Sequence, residues 1–139
     1  MQQSVEKMTF STRDRGLHEI TADVAAWLSN RSIKTGLLTL FCHHTSASLL
    51  IQENADPNVR ADLEAYFARI APEEPGRYAH DDEGPDDMPS HLRTALTQTH
   101  LSIPVISGKM ALGTWQGIYL FEHRARPHTR EIALHLIGD

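Results

Sequence analysis

His80 and His91 bracket the stretch HDDEGPDDMPSH, which carries Asp81, Asp82, Glu83, Asp86 and Asp87 between them. Imidazole nitrogens and carboxylate oxygens are good ligands for Zn²⁺ and related ions. Carboxylates alone suit Mg²⁺ bound through a substrate phosphate. His91 falls in the first turn of an expected helix, so its backbone is held firmly, and His80 stands at the loop entrance. A third imidazole is available in FCHHTSAS, where a buried apolar run gives out. Adjacent strand residues face opposite ways, so one of His43 and His44 at most enters a given site. His44, beside the hydroxyls of Thr45 and Ser46, is the better candidate. His44, His80 and His91 together would make a three-nitrogen metal site. The spacing matches no compact motif such as HExxH. The competing explanation is a surface histidine pair, and acids that cap a helix where its dipole favours them.

Other groups could assist. Glu53, in QENADP, follows a strand and precedes a helix, a position suited to a general base. Asn54 and Asp56 are equally well explained as turn and cap residues. Arg124, Arg126 and Arg130 gather around a turn after Glu122. Arginine forks suit phosphate, although ordinary pairing with Glu122 explains them slightly better. Cys42 ends an apolar run and is expected to be a buried, inert thiol. The glycines of SGKMALGTWQG lie between strands, where bulges or tight corners explain them better than a phosphate cradle.

The elements that must position these residues can be read from pattern. SVEKMTFST has the content of a first strand. Leu17, Ile20, Val24, Trp27 and Leu28 recur at helical spacing to about Asn30. GLLTLFC and SASLLIQE suggest two strands. Asp56 as N-cap and Pro57 at the first helical position open a second helix with an apolar stripe of Val59, Leu63, Phe67 and Ile70. A third helix starts at Asp87 and Pro89 with an expected inner face of Leu92, Ala95 and Leu96. The remainder alternates as sheet. This order predicts one α+β domain over residues 1–139, a compact sandwich of largely antiparallel sheet with about three helices.

Composition sets bounds. The 139 residues carry a net charge of −5, which weighs against nucleic acid as a partner. One cysteine excludes an internal disulfide and any multi-cysteine zinc site. No stretch approaches the roughly 18 apolar residues of a membrane span, and the N-terminal residues lack a long apolar core. A cytoplasmic protein with no membrane partner is expected. Nine histidines are many for this length.

Three segments together resemble the YjbQ family of small bacterial and archaeal proteins: CHHTSASLLIQENADPNVRADL, HDDEGPDDMPSHLRTAL and SIPVISGKMALGTWQGIYLFEHR. The match keeps its order from about Phe10 to Leu136, and GTWQGIYLFE is its most specific part. The resemblance implies an α+β sandwich assembled as a homotrimer, with polar residues grouped in a cleft near subunit contacts. It also implies secondary thiamine-phosphate synthase activity, in which an aminopyrimidine diphosphate and a thiazole phosphate are joined and pyrophosphate is released. The family's recurring polar positions correspond to His44, Thr45, Ser46, Glu53, Asn54, His80, Asp81, His91, Trp115, Gln116, Glu122 and Arg124. His43, Arg126 and His128 receive no such correspondence.

The combined expectation assigns catalysis to His44, Glu53, His91 and Glu122. Thr45, Ser46, Asn54, Asp81, Gln116 and Arg124 would bind a small phosphorylated substrate. A divalent metal, Mg²⁺ or Zn²⁺, would sit on His44, His80 and His91. A metal-dependent hydrolase using the same histidines and a non-catalytic, ligand-binding trimer are the rival functions.

Overall fold

The computed structural model describes residues 1–139. Its elements run β1 (Gln2–Thr12), β2 (Gly16–Glu19), α1 (Thr21–Ser29), β3 (Gly36–Cys42), β4 (Ala47–Glu53), α2 (Pro57–Ile70), α3 (Asp87–Leu96), β5 (His100–Ile106), β6 (Lys109–Met110), β7 (Gln116–Glu122) and β8 (His128–Gly138). Every strand pair is antiparallel. One sheet has the order β1-β8-β3-β5-β6 and the other β2-β7-β4. This is the expected α+β sandwich with three helices.

The core lies between the two sheets. Period-two alternation sends Leu38, Leu40 and Cys42 of β3, Leu101, Ile103 and Val105 of β5, and Ile132, Leu134 and Leu136 of β8 to the inner face. Ala47, Leu49, Ile118 and Leu120 meet them from the smaller sheet, and Val24, Trp27 and Leu28 of α1 close one end. β7 is buried on both faces. On its other side Phe121 stacks edge-on against Phe67 of α2, with centroids 5.4 Å apart. The smaller sheet is therefore the middle layer, with α2 and α3 outside it.

Three expectations need correction. Leu17 does not begin a helix: it lies in β2 and pairs with Phe121, and α1 starts only at Thr21. The edge of β7 offers backbone partners to Gly16–Glu19, and that pairing overrides the helical spacing. The stripe of α2 is only partly used, since Phe67 is buried while Ile70 is exposed. The expected inner face of α3 is reversed. Asp87, Pro89, Ser90 and Arg93 are buried, whereas Leu96 is 62% exposed. Asp87, Ser90 and Arg93 each have a partner, which offsets most of the cost of the inversion, while the enclosed Thr94 hydroxyl has none. Ser90 donates to the carbonyls of Asp86 and His123, and Arg93 donates to Glu64 at 3.0 Å. The opening of α2 is as expected: Asp56 accepts from the Asn58 amide at 2.9 Å, a cap worth about 1 kcal/mol.

Candidate functional site

The start of α3, the loop before it and the end of β7 build one polar centre. Asp87 and His91 lie one helical turn apart and so share a face. The loop returns His80 and Glu83 to the same face. His80 Nε2 stands 2.7 Å from Asp87 Oδ2 and 3.0 Å from Glu83 Oε2. His91 Nε2 lies 3.2 Å from the same Asp87 oxygen. One donor atom from each of these four residues falls within 4.8 Å of the others. They fit a divalent ion by donor type and closeness.

Arg124 sets the geometry from behind. Its guanidinium donates to Asp86 at 3.1 Å, Asp87 at 2.7 Å and the Glu83 carbonyl at 2.9 Å. One side chain thus ties the loop to the helix. Burial penalises the charge on Asp86, but the Ala125 amide and Arg124 outweigh it and hold the carboxyl below the usual aspartate range. Asp87 is also held low: burial opposes its charge, and His80, His91 and Arg124 overcome it. The hydrogen bond to Asp87 raises the basicity of His80 despite some desolvation. Asp86 makes no side-chain cap, so the acids clamp Arg124 and orient imidazoles rather than cap the helix.

A cavity of about 250 Å³ opens beside His80. Tyr78, Pro75, Pro85, Met88 and Pro89 supply its flat, weakly polar walls, with Asp81 and Glu74 also lining it. Asp81 is exposed and lies outside the four-residue cluster.

The structure sorts the other expected site residues into three places. Thr45 reaches the cluster through its backbone, where its carbonyl is 2.9 Å from His91 Nδ1. Glu122, Arg130, Ser46 and Thr12 form a buried network behind it. Arg130 donates to Glu122 at 2.8 Å and to Ser46 Oγ at 3.1 Å. Burial works against the Glu122 charge, but Arg130, Thr12 and the Arg124 amide keep its carboxyl low. Glu122 is fully buried, which suits an architectural anion better than an acid–base group. Glu53, Asn54 and Gln116 lie at the other end of the smaller sheet. The register pairs Ala47 with Glu122 and Glu53 with Gln116. Six residue steps along the strand separate those pairs, about 20 Å. Asn54 donates to Glu19 at 3.1 Å, and Gln116 accepts from the Gly113 amide at 2.7 Å. These three do not join the histidines. Trp115, in the same turn, is 61% exposed.

His44 also requires correction. Its Nε2 accepts from the Glu131 amide at 2.8 Å, and it is not part of the cluster. Burial, then the charges of Arg130 and His43, lower its basicity. The third and fourth donors beside His80 and His91 are Asp87 and Glu83. Their i, i+4 and i, i+3 spacing to the two histidines was the available signal. Cys42 is buried with its thiol pushed up by desolvation, as expected of an inert group.

Comparison with known proteins places these features in context. The family model described as UPF0047 protein YjbQ-like matches residues 6–139. A UPF0047 protein of Synechocystis sp. is 49% identical over 99% of this chain and 93% of its own length. The UPF0047 protein YjbQ of Escherichia coli O157:H7 is 44% identical over 95% of this chain and 96% of its own. Among solved structures, a conserved hypothetical protein from Thermus thermophilus superposes with a TM-score of 0.84. It is 34% identical, and the alignment covers 95% of this chain and 99% of that one. An uncharacterized YjbQ/UPF0047 family protein from Clostridium acetobutylicum gives 0.86 at 29% identity, with 95% and 99% covered. No helix is long and apolar enough to cross a membrane.

Proposed function

The chain belongs to the UPF0047 YjbQ-like family, and on that premise we propose that it is a transferase of the thiamine-phosphate synthase type. In that reaction the carbon–oxygen bond of an aminopyrimidine diphosphate breaks and pyrophosphate leaves with the bonding electrons. The thiazole nitrogen supplies the electron pair of the new carbon–nitrogen bond. No protein nucleophile is needed. The demands are stabilisation of the departing charge and alignment of two reactants.

The observation that carries this reading is the convergence of His80, Glu83, Asp87 and His91 beside the cavity lined by Tyr78, Met88 and Pro89. Arg124 is committed to Asp86 and Asp87, so it offers the diphosphate little free positive charge. A divalent cation held by the cluster would supply that charge as a Lewis acid. The flat walls suit a heteroaromatic ring, and Asp81 and Glu74 at the lining suit its amino substituent.

We further propose that the working form is a homotrimer. The outer face of the five-stranded sheet leaves Val5, Leu37, Phe41 and Ile137 exposed, with no helix over it. The reversed α3 adds Leu96 to the uncovered apolar surface. Burial in subunit contacts would explain both.

The test is adduct formation from the two phosphorylated precursors, with and without chelator. His91→Ala should slow turnover by about 10²–10³-fold, the usual loss when one charge-stabilising contact is removed. Wild-type protein that forms no adduct above background, or a His91→Ala variant as fast as wild type, overturns the proposal. Hydrolysed precursor in place of adduct would identify a hydrolase.

A further inference from the structure

We propose that His80, Asp87 and His91 are the fixed ligands of a divalent transition-metal ion, that Glu83 is a fourth and exchangeable ligand, and that the site rejects Mg²⁺. The inference rests on the cation reading above for its purpose and on side-chain geometry for its substance.

The tautomer of His91 is the first argument. Its Nδ1 lies 2.9 Å from the carbonyl oxygen of Thr45. A carbonyl can only accept, so Nδ1 carries the proton. In the neutral ring the lone pair is then on Nε2, which faces Asp87 Oδ2 at 3.2 Å. Two electron-rich atoms confront each other there unless a second proton or a cation lies between them. A backbone carbonyl on one imidazole nitrogen, fixing the other as donor, is the usual arrangement around a metal-binding histidine.

Asp87 is divided in the same way. Its Oδ1 accepts from Arg124, leaving Oδ2 for the two imidazoles or an ion. Arg124 therefore orients this carboxylate as hydrogen-bond partners of metal ligands do. Asp87 is buried and lies one turn before His91 in α3, so both backbones are fixed. Glu83 differs: its side chain is 61% exposed on the loop, and only its carbonyl is held by Arg124. It can leave the ion and make room for a substrate oxygen.

The donor set selects the ion. Metal–ligand bonds of about 2.0 Å place tetrahedral donors roughly 3.3 Å apart. Three of the six donor separations, at 2.7, 3.0 and 3.2 Å, are close to that value, and all four donors lie within 4.8 Å of one another. Two imidazoles and a carboxylate suit zinc, manganese, iron or cobalt, whereas Mg²⁺ prefers oxygen ligands in an octahedron.

The experiment is calorimetric titration of untagged, chelator-treated full-length protein with Zn²⁺, Mn²⁺ and Mg²⁺, each alone and without substrate. One Zn²⁺ or Mn²⁺ per chain is expected, undisturbed by a hundredfold excess of Mg²⁺. Asp87 is buried, and its replacement risks the fold, so the variants are His80→Ala and Glu83→Gln at exposed positions. His80→Ala should weaken binding by at least about 100-fold, and Glu83→Gln by about tenfold or less. Wild type that binds Zn²⁺ and Mn²⁺ no better than His80→Ala, or that exchanges its ion for Mg²⁺ at equal concentration, overturns the proposal. Metal binding without adduct formation would defeat the transferase reading alone. Adduct formation in wild type that binds no transition ion would defeat the metal site alone.

Discussion

Arg124→Met measures how much of the polar centre is held by one guanidinium. Methionine keeps much of the side-chain volume and removes every donor. Arg124 is only 9% exposed, and the carboxylates it serves are similarly enclosed. Removing one partner from a buried ion pair costs about 3–5 kcal/mol. Here Asp86 keeps the Ala125 amide, and Asp87 keeps its imidazoles. The lower end, about 3 kcal/mol, is therefore expected. With an unfolding entropy near ~2.1 cal/mol/K per residue, that loss lowers Tm by about 10 °C in a chain of this length. The deficit should depend on pH. Asp86 and Asp87 have depressed folded pKa values, so their stabilisation is complete above the unfolded aspartate value of about 3.9 and is lost as pH falls through the folded ones. The gap between wild type and variant should close across that window. Thermal unfolding followed by circular dichroism, at about pH 7 and then stepwise into acid, provides the assay. A variant within about 3 °C of wild type at neutral pH, or a gap that persists unchanged in acid, would refute the clamp.

Two further outcomes follow from packing. Gly138→Ala should destabilise by about 3 kcal/mol in urea, because a Cβ there would overlap the Thr35 carbonyl where the backbone carries no slack; an unchanged midpoint would contradict that fit. Light scattering at micromolar concentration should give three chains per particle, and Phe41→Glu should reduce it; a monomeric wild type would rule out the trimer.

Several elements were legible because one local signal dominated. Asp56 and Pro57 marked the start of α2 through capping chemistry that needs no tertiary partner. The alternation in β5 and β8 gave their faces directly. α3 was readable as a helix but not in orientation. Burial of Asp87, Ser90 and Arg93 depends on His80, Arg124, Glu64 and two carbonyls, most of them from distant segments. No local pattern contains those partners. The site divided in the same manner. His80 and His91 could be paired because a short acidic loop joins them. His44 looked equivalent in sequence, yet the Glu131 amide claims its ring. Asp87 and Glu83 look like ordinary charge when the acids are counted together, although the helical spacing of Asp87 to His91 already pairs two ligands; His80 and Glu83 join them only through the course of the loop.

β1 runs antiparallel to β8 along its whole length, from Gln2 opposite Gly138 to Thr12 opposite His128. Even the nearest of those pairs spans 116 positions of chain. β8 is also the strand that joins β1 to β3. During synthesis, β1 therefore emerges without any neighbour, and β3 lacks one side, until β8 has left the ribosome. Closing so long a loop is entropically costly and slow. The five-stranded sheet can assemble only after translation has passed His128, and the nascent chain must keep the unpaired β1 and the open edge of β3 from associating with other strands in the meantime.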